Sequence, residues 1–301
     1  MTDQRLRAML LATLLVAGWA TGAAAQSARA RGAPIALRIH PRLGDTLRLR
    51  YEQRTDVRED DDVPMGRSVS TTILVHAQSV VEASEPALTT VFASTDSGWV
   101  VFRSVDPRPG VGVQENRMML PGIGSRMRLE VGTDGATEVV NAMGPGGGAQ
   151  QSLLSQSPAM LPKLPVSVGD TWMRDIPLPP AASVALRGAG DVAGTVRARF
   201  RFDSLSAGGR KAYVSVRATL NRDGRRADAP SAARVVSSGT LTGTLVLDRL
   251  RAWMVEMRTT VSLVSDLVPG AADGPPTMLF APLGRTPRRA VVQIEQVMRT
   301  R

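Results

Sequence analysis

The residues best placed to do chemistry in this 301-residue chain are two aspartates in matched settings, Gly44-Asp45-Thr46 and Gly169-Asp170-Thr171-Trp172. Each follows a proline and an apolar residue, and each precedes an apolar residue that opens a strand-like run. A pair of carboxylates is the usual apparatus of general acid/base catalysis. A turn explains the same residues more simply. Glycine permits positive φ, and an aspartate side chain bonds backbone N–H groups two residues on. No partner base accompanies either aspartate, so both read as backbone clamps.

Other chemistry finds little support. His40 and His76 are the only histidines, and they lack a metal-ligand spacing. There is no cysteine, which excludes disulfides, thiolate metal sites and a cysteine nucleophile. Asp96-Ser97-Gly98 is superficially similar to the nucleophile segment of trypsin-like proteases, but the preceding glycine is missing and no Gly-x-Ser-x-Gly elbow occurs. The acidic run 59–62 reads as a solvated turn, because consecutive acids point different ways and lack the alternation of a calcium loop. Gly144-Pro145-Gly146-Gly147-Gly148 is a linker, since no Gly-Lys-Ser/Thr follows it. We predict no catalytic residue, cofactor or metal. Met118, Met119, Met278, Leu279 and Phe280 fall in two Pro/Gly-rich stretches, 105–125 and 269–287. They are candidates to line an apolar ligand mouth, because methionine adapts to irregular surfaces; folding back onto the core explains them equally well.

Composition bounds the setting. Arg5 and Arg7, the apolar run Ala8–Ala20 and Ala23-Ala24-Ala25 before Gln26 form an export signal, residues 1–25, cleaved near Ala25. Cleavage lowers the formal charge from +10 to +9, since Arg5, Arg7 and Asp3 leave with it. A periplasmic or secreted protein follows, with membrane contact at most peripheral. The arginines are spread along the chain and aromatics are scarce, which argues against a nucleic-acid partner. An anionic surface remains open as a partner.

The elements that must position these residues alternate with period two almost throughout. Residues 26–33 read as a disordered tail. A first β half spans 34–141, a Gly-rich linker with a short helix spans 142–163, and a second β half spans 164–301. Strand patterns include Ile35–Ile39, Leu47–Tyr51, Arg67–Ala83, Leu88–Ser94 and Trp99–Ser104, with Val105–Ser125 irregular. A hairpin turns at Asp134-Gly135. Later, Val196, Ala198, Phe200 and Phe202 alternate with arginines, and Val214–Leu220, Leu241–Leu247, Trp253–Val261 and Val291–Val297 continue the pattern. The predicted class is all-β, two similar antiparallel halves arranged as a sandwich or half-barrel.

The two Gly-Asp-Thr sites lie 125 positions apart (Gly44, Gly169). At that offset Val75 falls on Phe200, Ala77 on Phe202 and Val91 on Val216; at 116, Leu129 falls on Leu245 and Val139 on Val255. Shared turns in constant order point to an internal duplication.

Leu161-Pro162-Lys163-Leu164-Pro165-Val166-Ser167-Val168-Gly169-Asp170-Thr171-Trp172 resembles a leucine-proline-x-x-proline-valine-x-valine-glycine-aspartate-serine/threonine-tryptophan segment of exported bacterial β-rich envelope proteins. The resemblance implies an envelope location and a duplicated β architecture. Those families have no assigned activity, so no site residue follows from it. The expected role is non-catalytic binding of an apolar or amphipathic, lipid-like ligand, or of an envelope partner. A structural or assembly module without a small ligand is the alternative, and an unrecognised hydrolase a third.

Overall fold

The computed structural model describes residues 33–59, 68–106, 112–120, 123–143, 157–177, 195–225, 234–268 and 289–301. The expected export signal, most of the expected tail, residues 144–156 of the expected linker, and Met278, Leu279 and Phe280 lie outside them. The described chain is all-β, with no α-helix.

Twelve strands form one antiparallel sheet: β1 (Thr46–Glu59), β2 (Ser68–Ser84), β3 (Leu88–Asp106), β4 (Gly112–Met119), β5 (Arg126–Gly132), β6 (Thr137–Met143), β7 (Thr171–Pro177), β8 (Thr195–Leu205), β9 (Lys211–Arg225), β10 (Arg234–Asp248), β11 (Trp253–Val268) and β12 (Arg289–Thr300). Their order is β6-β5-β3-β2-β1-β12-β11-β10-β9-β8-β7, with β4 on the outer stretch of β3. The sheet does not close; β6 and β7 end its path, and β4, paired only to β3, is a third edge. The all-β, antiparallel class expected from the sequence is found, as one open sheet. First and last strands pair directly, as in Gln53 opposite Gln296, and make one continuous surface.

Alternation decides which face is buried. On β8, Val196, Ala198, Phe200 and Phe202 are buried while Arg197, Arg199 and Arg201 are exposed. The buried face curls on itself: Val91 of β3 and Val131 of β5 join the cluster holding Phe200 of β8 and Ile294 of β12. We call this the inner face. Leu37, Ile39, Met160, Leu161 and Val166 belong to the same cluster. They come from two extended segments that close one end of it. Ile39 N–H donates to Thr133 O and His40 N–H to Ala252 O, while Met160 N–H donates to Asp134 O.

Two further expectations need correction, and a third, the short linker helix expected over 150–160, falls mostly outside the described residues. Its described end, 157–160, is not helical; Met160 and Leu161 there are apolar plugs held by backbone bonds to the β5–β6 turn. The stretch 105–125 is not irregular throughout, since β4 lies within it; β4 is exposed along its whole length and so carries no alternation to read. Leu88–Ser94 and Trp99–Ser104 are one strand, continued through a bulge where His76 pairs Ser97 and Ala77 pairs Thr95.

Candidate functional site

The Gly-Asp-Thr segments build matching turns. Gly44 has φ 82° and Gly169 φ 94°, the left-handed region where glycine is favoured. Arg42 N–H donates to Asp45 Oδ2 at 3.0 Å, and Ser167 N–H to Asp170 Oδ2 at 2.8 Å. Each carboxylate therefore reaches back three residues, not forward two. Gly44 N–H donates to Val81 O (2.9 Å) and Val81 N–H to Asp45 O; likewise Gly169 N–H donates to Phe202 O (2.7 Å) and Phe202 N–H to Asp170 O. The strand residue matching Val81 is thus Phe202, an offset of 121, so the ungapped match of Ala77 to Phe202 is out of register. Thr46 and Thr171 are exposed first residues of their strands. Among the described residues neither aspartate bonds a second titratable side chain; both carboxylates are occupied by the turn.

Trp172 binds the motif to the open seam. Its ring stacks on Phe200 (5.8 Å between centroids, 10° between planes), and its indole N–H donates to Met160 O at 2.8 Å. The Arg174 guanidinium donates to Leu161 O. Thr137 N–H of β6 donates to Ser157 O. Segment 157–161 therefore lies between edge strands β6 and β7, bonded to both.

A buried polar row crosses the inner face where β11, β12 and β1 meet. Tyr51 OH donates to Gln53 Oε1 (2.7 Å). Gln296 Nε2 donates to Tyr51 OH and Gln53 Oε1 (3.1 and 3.0 Å), and Thr259 Oγ1 to Gln296 Oε1 (3.0 Å). Burial, partly offset by the Gln296 bond, pushes the Tyr51 phenol up to about 12. The row continues through the strand register: Thr259, Gln296, Gln53, then Ile73, Val100 and Met118. Ile73 and Val100 are half-buried against Tyr51, Val75 and Leu120. Met118, at the end of the row, is 50% exposed. The inner face of this flank thus passes from a hydrogen-bonded polar pole to an apolar rim.

Met118 and Met119 are successive, so they face opposite sides. Met119, 59% exposed, stands opposite Trp99, where the Arg117 guanidinium lies 4.3 Å from the ring centroid on the outer face. Sequence reasoning placed both methionines at one mouth; it missed the polar row, because Gln53 and Gln296 are brought together only by the β1–β12 pairing.

The histidines are drawn into serine contacts. His76 Nδ1 lies 3.0 Å from Ser97 Oγ at the β3 bulge, and His40 Nδ1 3.4 Å from Ser84 Oγ. Ser84 Oγ already donates to Pro41 O. Among the described residues no carboxylate bonds the His76 ring, and an orienting third group is what makes such a pair nucleophilic. An outer-face groove of about 580 Å3 includes Arg54, Arg58, Ser70, Arg103, Glu115 and Gln293. Arg54 there is held by Asp56 at 2.8 Å, so the groove is polar and partly self-neutralised. No group of three or more potential metal-ligating side chains occurs among the described residues. No protein-family model matches the chain, and no characterised protein matches it.

Proposed function

We propose that this is an exported, non-catalytic envelope protein that binds an apolar or amphipathic, lipid-like ligand on the inner face of β12, β1, β2, β3 and β4. One observation carries the reading: the register row in which the network of half-buried Gln296 with buried Gln53 and Tyr51 gives way to Ile73, Val100 and half-exposed Met118. Ligand sites are characteristically apolar surfaces with a few fixed polar groups, and the row offers both. The polar pole suits a headgroup and the apolar rim a hydrocarbon chain. The export signal read in residues 1–25 supports a periplasmic or extracellular setting, where such ligands must be carried or sensed.

The chain is read as two repeats, β1-β2-β3-β5-β6 and β7-β8-β9-β10-β11, joined by residues 142–163. The matched turns at Gly44 and Gly169 support it, as does the common meander order. Strands β4 and β12 have no counterpart in the opposite repeat. A second reading, an assembly module without a small ligand, rests on the open edge β6, where Val140 and Met143 are 54% and 51% exposed. Exposed apolar strand edges invite pairing with another chain.

The test is titration with a dansyl-labelled fatty acid. The ligand reading expects saturable binding that Met118→Glu weakens; a module without a ligand gives no saturable binding in the wild type.

A further inference from the structure

The outer face of β7, β8 and β9 carries a cluster of exposed arginines. Arg197, Arg199 and Arg201 are successive outward residues of β8, all exposed. Arg217 of β9 stands directly opposite Arg199. Outward neighbours on a strand lie about 7 Å apart, and opposed side chains about 5 Å. Like charges in that arrangement repel and destabilise the pairing.

Outer-face arginines elsewhere are commonly neutralised. Arg50 meets Glu52 at 3.2 Å, Arg54 meets Asp56 at 2.8 Å, Arg128 meets Glu82 at 2.8 Å and Arg258 meets Glu256 at 2.7 Å. Within the cluster, Arg201 has only a 3.8 Å approach to Asp203. Asp175 of β7 stands directly opposite Arg197, yet Arg197, Arg199 and Arg217 form no ion pair within 4 Å among the described residues. Two amphipathic or apolar side chains flank them. Met173, opposite Arg199 on β7, is 45% exposed, and Tyr213, on the outer side of β9, is 37% exposed.

We propose that this face docks the protein onto a bilayer surface containing anionic phospholipid. Guanidinium groups recognise phosphate with paired N–H donors. A row of cations across neighbouring strands matches a plane of headgroup phosphates, whose negative charge removes the repulsion between Arg199 and Arg217. Met173 and Tyr213 reach the boundary between headgroup and acyl chain, where amphipathic side chains settle. The proposal is independent of the inner-face ligand, since it uses the opposite side of the other flank.

The test is co-sedimentation with phosphatidylcholine vesicles, with and without phosphatidylglycerol. Binding is expected only with phosphatidylglycerol. The triple variant R197Q/R199Q/R217Q should lose roughly a hundredfold in affinity, at about fivefold per arginine, while melting no lower than the wild type. A control variant at paired sites, R50Q/R54Q/R258Q, should lose less than the cluster variant. Equal binding to both vesicles, or a triple variant that binds as the wild type does, overturns the proposal. So does release from the vesicles by inorganic phosphate at constant ionic strength, which would mark a site for a free anion.

Discussion

The indole N–H of Trp172 donates to the carbonyl of Met160 at 2.8 Å, joining the first strand after the connector to the connector itself. The same ring stacks on Phe200 of the next strand. One side chain thus holds the seam, the edge strand and the core together. Trp172→Phe keeps the stacking and loses the hydrogen bond, an expected cost of about 1 kcal/mol. Trp172→Ala loses both, and the expected cost rises to about 3 kcal/mol. Urea midpoints of the two variants measure the difference.

Asp45 and Asp170 make the same bond to a backbone N–H three residues earlier. As clamps they carry stability and not activity. Asp45→Ala and Asp170→Ala are each expected to destabilise by roughly 1–2 kcal/mol. Thermal melts that match the wild type in both variants would remove the clamp role and reopen the acid/base reading.

Gly243 lies on the inner side of β10, where an added Cβ would meet the Arg258 carbonyl and Thr259 Cγ2. The first of these is backbone and yields only if β10 and β11 separate. Gly243→Ala is expected to cost on the order of 3 kcal/mol, an overpacking effect, read by chemical denaturation.

Two limbs of the pH–stability profile follow from named groups. Burial holds the Tyr51 phenol at about 12, above its ordinary value of 10.0. Stability it contributes is present below pH 10 and is lost as pH rises toward 12. Tyr51→Phe should flatten that alkaline limb. Asp248 behaves oppositely. Burial pushes its carboxyl up, but Arg210 and the Arg251 and Leu250 N–H groups outweigh burial and hold it below the ordinary carboxylate range. Its stability is present above that range and is lost as pH falls through the depressed value. Asp248→Asn should weaken the acid limb and lower stability at neutral pH.

Much of the sheet was legible because its strands show one face to the core. On β8 the sequence alternates Val196-Arg197-Ala198-Arg199-Phe200-Arg201-Phe202, and burial follows residue by residue. Strand β4 was not legible, because an edge strand exposed on both faces has no apolar parity to display. The break expected within β3 was a bulge at Asp96, which interrupts the parity of the sequence without ending the strand. The Gly-Asp turns were recognisable from residue type, yet the direction of the aspartate bond was not. The polar row was beyond reach, since Gln53 and Gln296 meet only after the first strand pairs with the last. A long-range register of that kind leaves no local signal.

Ligand binding on the inner face is the central claim, and native mass spectrometry with lipid extraction tests it most directly. The protein and its Met118→Glu variant would both be purified from the envelope of producing cells. The account predicts a co-purifying amphipathic molecule on the wild type, at clearly reduced occupancy on the variant. Recovery of no ligand from the wild type, or equal occupancy on both, would contradict it.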